Sequence, residues 1–118
     1  NIVGDFVSNA GVRDDARGLI NINADFSNQS VSGQMQFGHD CGGGSGPSGC
    51  NVISGVESFN EAINDYNGSG FGSHSDTVRT TGSGVVGIFA GPNSEEIAGT
   101  AWMNDNGGLY NGAFIAGQ

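Results

Sequence analysis

Gly82-Ser-Gly-Val-Val-Gly-Ile-Phe-Ala-Gly-Pro-Asn-Ser-Glu-Glu-Ile-Ala-Gly-Thr-Ala-Trp102, followed by Met103 to Gly108 and then Leu109-Tyr-Asn-Gly-Ala-Phe-Ile-Ala-Gly-Gln118, is the stretch that decides the fold. Its apolar runs are short and are cut by Gly91-Pro92-Asn93 and by Asn104 to Gly108. None is long enough for a stable helix. Runs rich in Val, Ile, Phe, Trp and Tyr between such punctuation predict consecutive antiparallel strands.

The same residues carry a resemblance. Gly87-Ile-Phe-Ala-Gly-Pro92, the following Asn-Ser-Glu-Glu-Ile-Ala-Gly99 and the closing Gly112-Ala-Phe-Ile-Ala-Gly-Gln118 resemble the last strands of the β-barrel domain of bacterial transferrin-binding protein B and its relatives. Upstream, Ala24 to Gly33 resembles that family's Asp-Phe-Ser hairpin, and Asn67 to Ser73 its Gly-Phe-containing segment. The resemblance implies an exported, surface-exposed barrel that presents loops to a host protein, an iron carrier or haem. Family members carry a handle domain beside each barrel, and 118 residues leave room for the barrel alone.

Working outward, Ile2 to Ser8 predicts a first strand with Gly4 at a close approach, and Asn9 to Arg17 a polar, solvated loop. Leu19 to Phe26 alternates, with Ile20, Ile22 and Ala24 on one face and Asn21, Asn23 and Asp25 on the other. Ser27-Asn28-Gln29 forms a turn, and Val31, Gly33, Met35 and Phe37 share a side of the returning strand. His39 to Gly49 is expected to be a long loop. Asn51 to Asn67 is open to two readings: Val52, Ile53 and Val56 suit a strand, while Phe59 to Ile63 suits a helical turn. A barrel, and the resemblance, place a strand at Ser58–Tyr66. Gly70 to Ser75 supplies a fifth strand, and the final stretch three more. Residues 1–118 are thus expected to form a single all-β domain, an eight-stranded antiparallel up-and-down β-barrel. In such a barrel side chains fill the interior and closure removes free edges. Gly87, Gly99 and Gly112 suit curvature, while Phe89, Trp102, Tyr110 and Phe114 supply bulk.

Twelve acidic against three basic residues give a net charge of −9, with no lysine. Nucleic acid requires positive charge to neutralise phosphates, and attachment to anionic lipid requires the same, so both are disfavoured and no nucleic-acid partner is assigned. The missing lysine excludes Schiff-base chemistry and a phosphate-loop lysine. No run approaches the length of a membrane-spanning helix.

Cys41 and Cys50 bracket Gly-Gly-Gly-Ser-Gly-Pro-Ser-Gly, a spacing unlike a Cys-x-x-Cys metal or redox pair. A disulfide that pins an otherwise floppy loop is expected, with a stabilisation of about 2.5–3 kcal/mol in the chain-entropy view. It implies an extracellular or cell-surface location. A start at Asn1 without an apolar leader predicts that a leader was removed.

Two Gly-x-Gly-x-x-Gly matches, at Gly44–Gly49 and Gly82–Gly87, do not join a strand to a helix and carry no nucleotide site. No Gly-x-Ser-x-Gly elbow occurs, and the paired acids Asp14/Asp15 and Glu95/Glu96 point apart in strands or turns. No catalytic residue is assigned, and the chain is read as non-enzymatic. Asn104 to Gly108 and Asp14-Asp15 offer hard oxygen ligands for calcium, which is also ordinary turn chemistry, and no twelve-residue calcium loop is present. No metal ligand is assigned. His39, beside the cysteine loop, and His74, after Phe71, are the candidate haem ligands, with exposed loop histidines as the plainer reading. Two functions follow: a binding module for a protein or small iron-containing ligand, or a self-associating subunit of an extracellular fibre, coat or matrix.

Overall fold

The computed structural model describes residues 1–43, 46–65, 70–72, 82–91 and 96–117. Among the described residues nine strands are formed: β1 (Ile2–Ser8), β2 (Arg13–Asp25), β3 (Ser30–Cys41), β4 (Cys50–Ile53), β5 (Glu57–Asp65), β6 (Gly70–Phe71), β7 (Ser83–Ala90), β8 (Glu96–Asp105) and β9 (Gly108–Gly117), with one 3-10 turn at Pro47–Gly49. All pairings are antiparallel, in the order β2-β1-β9-β8-β7-β6-β5-β3-β4, and β2 also pairs with β3. That last pairing closes eight strands into an up-and-down ring. β4 stands outside the ring, on the end of β3.

The expected fold class holds, and of the strand expected at Ser58–Tyr66 the described residues, to Asp65, belong to β5 rather than to a helical turn. Two expectations are corrected. The polar loop after β1 spans only residues 9–12, because Arg13 to Arg17 pairs with Val7 to Val3 and belongs to β2. Pairing with β1 overrides the poor strand propensity of Arg-Asp-Asp, and β3 joins on the other side from Ala16 onward. Likewise His39 to Cys41 continues β3, and Cys50 returns against Cys41 as its register partner, so the loop between them is shorter than expected. Of the fifth strand, Gly70–Phe71 is a strand; residues 73–75 lie outside the described residues, as do the turn at 92–95 and His74.

Ring closure follows from how the interior is filled. Inward positions alternate along each strand, and Ile2, Phe6, Val31, Met35, Phe37, Ile97, Tyr110 and Phe114 form one buried cluster with Phe59, Phe71, Val85 and Phe89. The rings are seated on glycines of neighbouring strands. Phe59 faces its partner Gly33, Phe71 faces Gly87 and Phe114 faces Gly99. A Cβ at those glycines would stand 3.0, 2.7 and 3.1 Å from the respective ring Cζ atoms. A narrow cylinder has no room for a large side chain opposite each ring, so glycine opposite aromatic is the packing solution. Trp102 differs: it alternates outward between buried Ala101 and Met103, lies over its partner Gly84, and is nonetheless 1% exposed.

The two rims differ. One carries the β2–β3 turn, where Asp25 accepts hydrogen bonds from Ser27 and Asn28 through backbone and side-chain groups. These bonds, with the Ser27 hydroxyl contributing most, hold its carboxyl below the usual carboxylate range. The other rim carries the β1–β2 loop, the disulfide hairpin, the β4–β5 link and the β8–β9 turn, and it holds the candidate site.

Candidate functional site

Asn106 and Gly107 both have positive φ, 54° and 75°, as a two-residue hairpin turn of the primed kind requires. This tight turn brings the Asn106 amide back over β9, where Nδ2 donates to the Tyr110 hydroxyl at 2.8 Å. Tyr110 alternates inward and is the register partner of Phe6 on β1. Their ring centroids are 4.5 Å apart.

His39 completes the cluster from β3. It follows Met35 and Phe37 on the inward face, and its partner on β2 is Ala16. A methyl at that position leaves the imidazole free to pass over β2 and stack on Phe6, with centroids 3.9 Å apart and planes 4° from parallel. His39 Nδ1 lies 2.8 Å from the Tyr110 hydroxyl oxygen. Three strands separated widely in the chain thus contribute one aromatic cap. Burial pushes Tyr110 above the ordinary phenol value; the Asn106 hydrogen bond opposes this and the Asp105 charge adds to it. The hydroxyl keeps its proton at neutral pH.

Polar clasps hold the rim around this cap. Ser54, buried in the β4–β5 link, accepts from the Phe37 N–H at 2.9 Å and donates to the Gly55 carbonyl at 2.8 Å. Its own N–H donates to the Phe37 carbonyl at 2.8 Å. Asp105 accepts from the Gly55 N–H at 2.9 Å and from the Asn106 N–H at 2.7 Å. Asp14 Oδ2 accepts from the Asp40 N–H at 2.9 Å, and Asp40, at φ 56°, takes the left-handed conformation that Asp tolerates better than most residues. Asn51 donates to Asp40 Oδ2 at 3.2 Å.

Beside the cap opens a cleft of about 360 Å³ lined by Phe6, Ser8, Val12, Arg13, Asp14, His39, Asp40 and Val52. Its charged residues are two carboxylates and Arg13, whose guanidinium is 3.3 Å from Asp5 at the exposed rim. A second depression, of about 440 Å³, lies along β1 and β2, between Asn1–Gly4 and Asp15–Arg17. There the Arg17 Nη1 is buried without a hydrogen-bond partner among the described residues.

Of the residues singled out from the sequence, His39 therefore lies in the inward cap rather than in a loop. Cys41 and Cys50 form the expected disulfide. His74 falls outside the described residues. Of the calcium candidates, Asp105 accepts a backbone hydrogen bond at each oxygen, Asn104 Nδ2 donates to the Gly82 carbonyl, and Asp14 accepts through Oδ2 from the Asp40 N–H. Among the described residues no group of three or more His, Cys, Asp or Glu is arranged to hold a metal ion. Tyr110, Asn106, Phe6 and Ser54 were missed as site residues; the Asn-Gly turn was the one local signal that pointed at them. No helix among the described residues is long and apolar enough to cross a membrane. A scan against protein-family models and searches among curated proteins and solved structures return no match.

Proposed function

We propose that this chain is a non-enzymatic binding module of an exported or bacterial cell-surface protein, whose barrel carries the rim around His39 to a protein partner. The resemblance to the transferrin-binding protein B barrel points the same way. The observation that carries the reading is the contrast between a filled interior and a polar, open rim. The core leaves side chains rather than a ligand in the middle of the cylinder, while His39, Asp14 and Asp40 line a cleft between loops. Loops on a rigid scaffold are where recognition is ordinarily placed.

Among a host protein, an iron carrier and haem, the protein partner fits best. Haem brings two carboxylates of its own, and Asp14 and Asp40 disfavour them in the cleft. The test is capture of a partner by the immobilised chain from the fluid it meets in its natural setting, compared with His39→Ala and with the outward Gln34→Ala on β3. Capture lost in the first variant and kept in the second supports the reading; capture indifferent to His39 removes it. Haem added to the same protein is expected to give no shifted Soret band that depends on His39.

A structural subunit is the second reading, favoured by the outer face of β7, β8, β9 and β1. Ile88, Ala98 and Ile115 form a row across three strands, and Val3 lies alongside, with Val3 75% and Ile115 71% exposed. A contiguous apolar patch of this kind marks association surfaces. Light scattering separates the two: a monomer favours the binding module, and polymer or filaments favour the subunit.

A further inference from the structure

The cap at the rim is a directed chain of hydrogen bonds, and its direction decides what His39 offers. Asn106 Nδ2 is the donor to the Tyr110 oxygen, so that oxygen is already accepting. A phenol carries one hydrogen, and the neighbour 2.8 Å away that can receive it is His39 Nδ1. A neutral imidazole that accepts at Nδ1 carries its own proton at Nε2. Stacking on Phe6 holds the ring plane in place. No hydrogen bond from the described residues engages Nε2, which is the nitrogen left for the cleft.

We propose that the cleft takes an uncharged hydrogen-bond acceptor, the carbonyl of a peptide group, on the Nε2–H of His39. An N–H at that position offers no lone pair to a metal or haem iron. An anionic acceptor meets Asp14 and Asp40 in the same cleft and a chain of net charge −9 around it. A peptide group suits both needs. Its carbonyl accepts from His39, and its neighbouring N–H finds carboxylate oxygens: Asp14 and Asp40 each use Oδ2 within the protein and leave Oδ1 without a partner among the described residues. Phe6, Val12 and Val52 supply apolar lining. This inference rests on the binding-module reading and names the chemistry its partner presents.

Two measurements test it. In the His74→Asn variant, a long-range 1H–15N correlation spectrum recorded where His39 is neutral is expected to show the proton on Nε2; a proton on Nδ1, or an even mixture, overturns the inference. In the second, N-acetyl-Gly-Gly-N-methylamide and acetate are titrated separately while the His39 ring signals are followed. The blocked peptide is expected to shift them and acetate at equal concentration is not; no shift with the peptide, or an equal shift with acetate, overturns it. His39→Gln, whose amide N–H falls near the Nε2 position, is expected to retain peptide binding, followed at the Val52 and Asp40 amides. His39→Asn is expected to weaken it about 2- to 13-fold, the range for one neutral hydrogen bond; equal loss in both variants overturns the assignment. Peptide binding without capture of a protein partner sinks the functional reading alone. Capture that depends on His39 with a proton on Nδ1 sinks this inference alone.

Discussion

Replacing Gly99 by alanine tests whether the rings are seated as described. A Cβ there collides with the Val86 carbonyl oxygen and lies 3.0 Å from Gly87 Cα and 3.1 Å from Phe114 Cζ. Phe114 has some freedom to tilt, but two of the three neighbours are backbone atoms of β7, so relief requires β7 and β8 to part. Overpacking of this kind costs about 1–3 kcal/mol. With a urea slope of about 1.5 kcal/mol per M, the unfolding midpoint falls by about 0.7–2 M at constant slope. Gly117→Ala is the control, since nothing lies within 4 Å of its Cβ. There the loss of unfolded-state freedom leaves the stability unchanged or raises it, by about 0.4–1 kcal/mol at most. A Gly99→Ala protein that keeps the wild-type midpoint refutes the packing of rings on glycines.

Three further perturbations reach other parts of the molecule. Ser54→Ala leaves the Phe37 N–H without its 2.9 Å acceptor and is expected to destabilise by about 1–3 kcal/mol, read from the same denaturation curves. Reducing the Cys41–Cys50 disulfide is expected to remove about 2.5–3 kcal/mol on the loop-entropy estimate, with denaturation in the presence and absence of reductant as the check. Glu61 faces inward on β5, and burial raises its carboxyl above the ordinary 4.5. A group raised by folding contributes stability that is fully present below its unfolded value and is lost as pH rises through its folded one. Glu61→Gln is therefore expected to flatten the fall in stability as pH rises above 4.5 and to stabilise the protein at neutral pH, measured as midpoint against pH.

The parts of the fold legible in the sequence are those where apolar side chains alternate plainly. Ile2 to Ser8, Ile20-Ile22-Ala24 against Val31-Met35-Phe37, and the three runs after Gly82 all became strands. The faces of the final strands were not legible, because Gly87, Gly99 and Gly112 occupy inward positions and erase the alternation there. Their role depends on what lies opposite, a ring for Gly87 and Gly99 and the Ile2 side chain for Gly112, and that is set by register, not by neighbours in the chain. Arg13 to Arg17 hid a strand for a related reason: Arg13, Asp15 and Arg17 alternate outward around an inward Asp14 and Ala16, a pattern too polar to distinguish from a turn. Of the site, the sequence offered His39 and the Asn106-Gly107 turn. It offered no link between them, since His39 and Tyr110 are 71 residues apart and meet only when β1, β2, β3 and β9 are neighbours. A lone histidine beside a cysteine loop looks exposed until Ala16 is known to be its partner.

The most direct test is the environment of the His39 ring by NMR. Ring closure and the rim site together require it to lie on Phe6 and beside Tyr110, so its carbon-bound protons are expected to be shifted upfield and to show nuclear Overhauser contacts to both aromatic rings. His39 protons at unstructured positions, without those contacts, would contradict both the closed cylinder and the recognition site proposed for its rim.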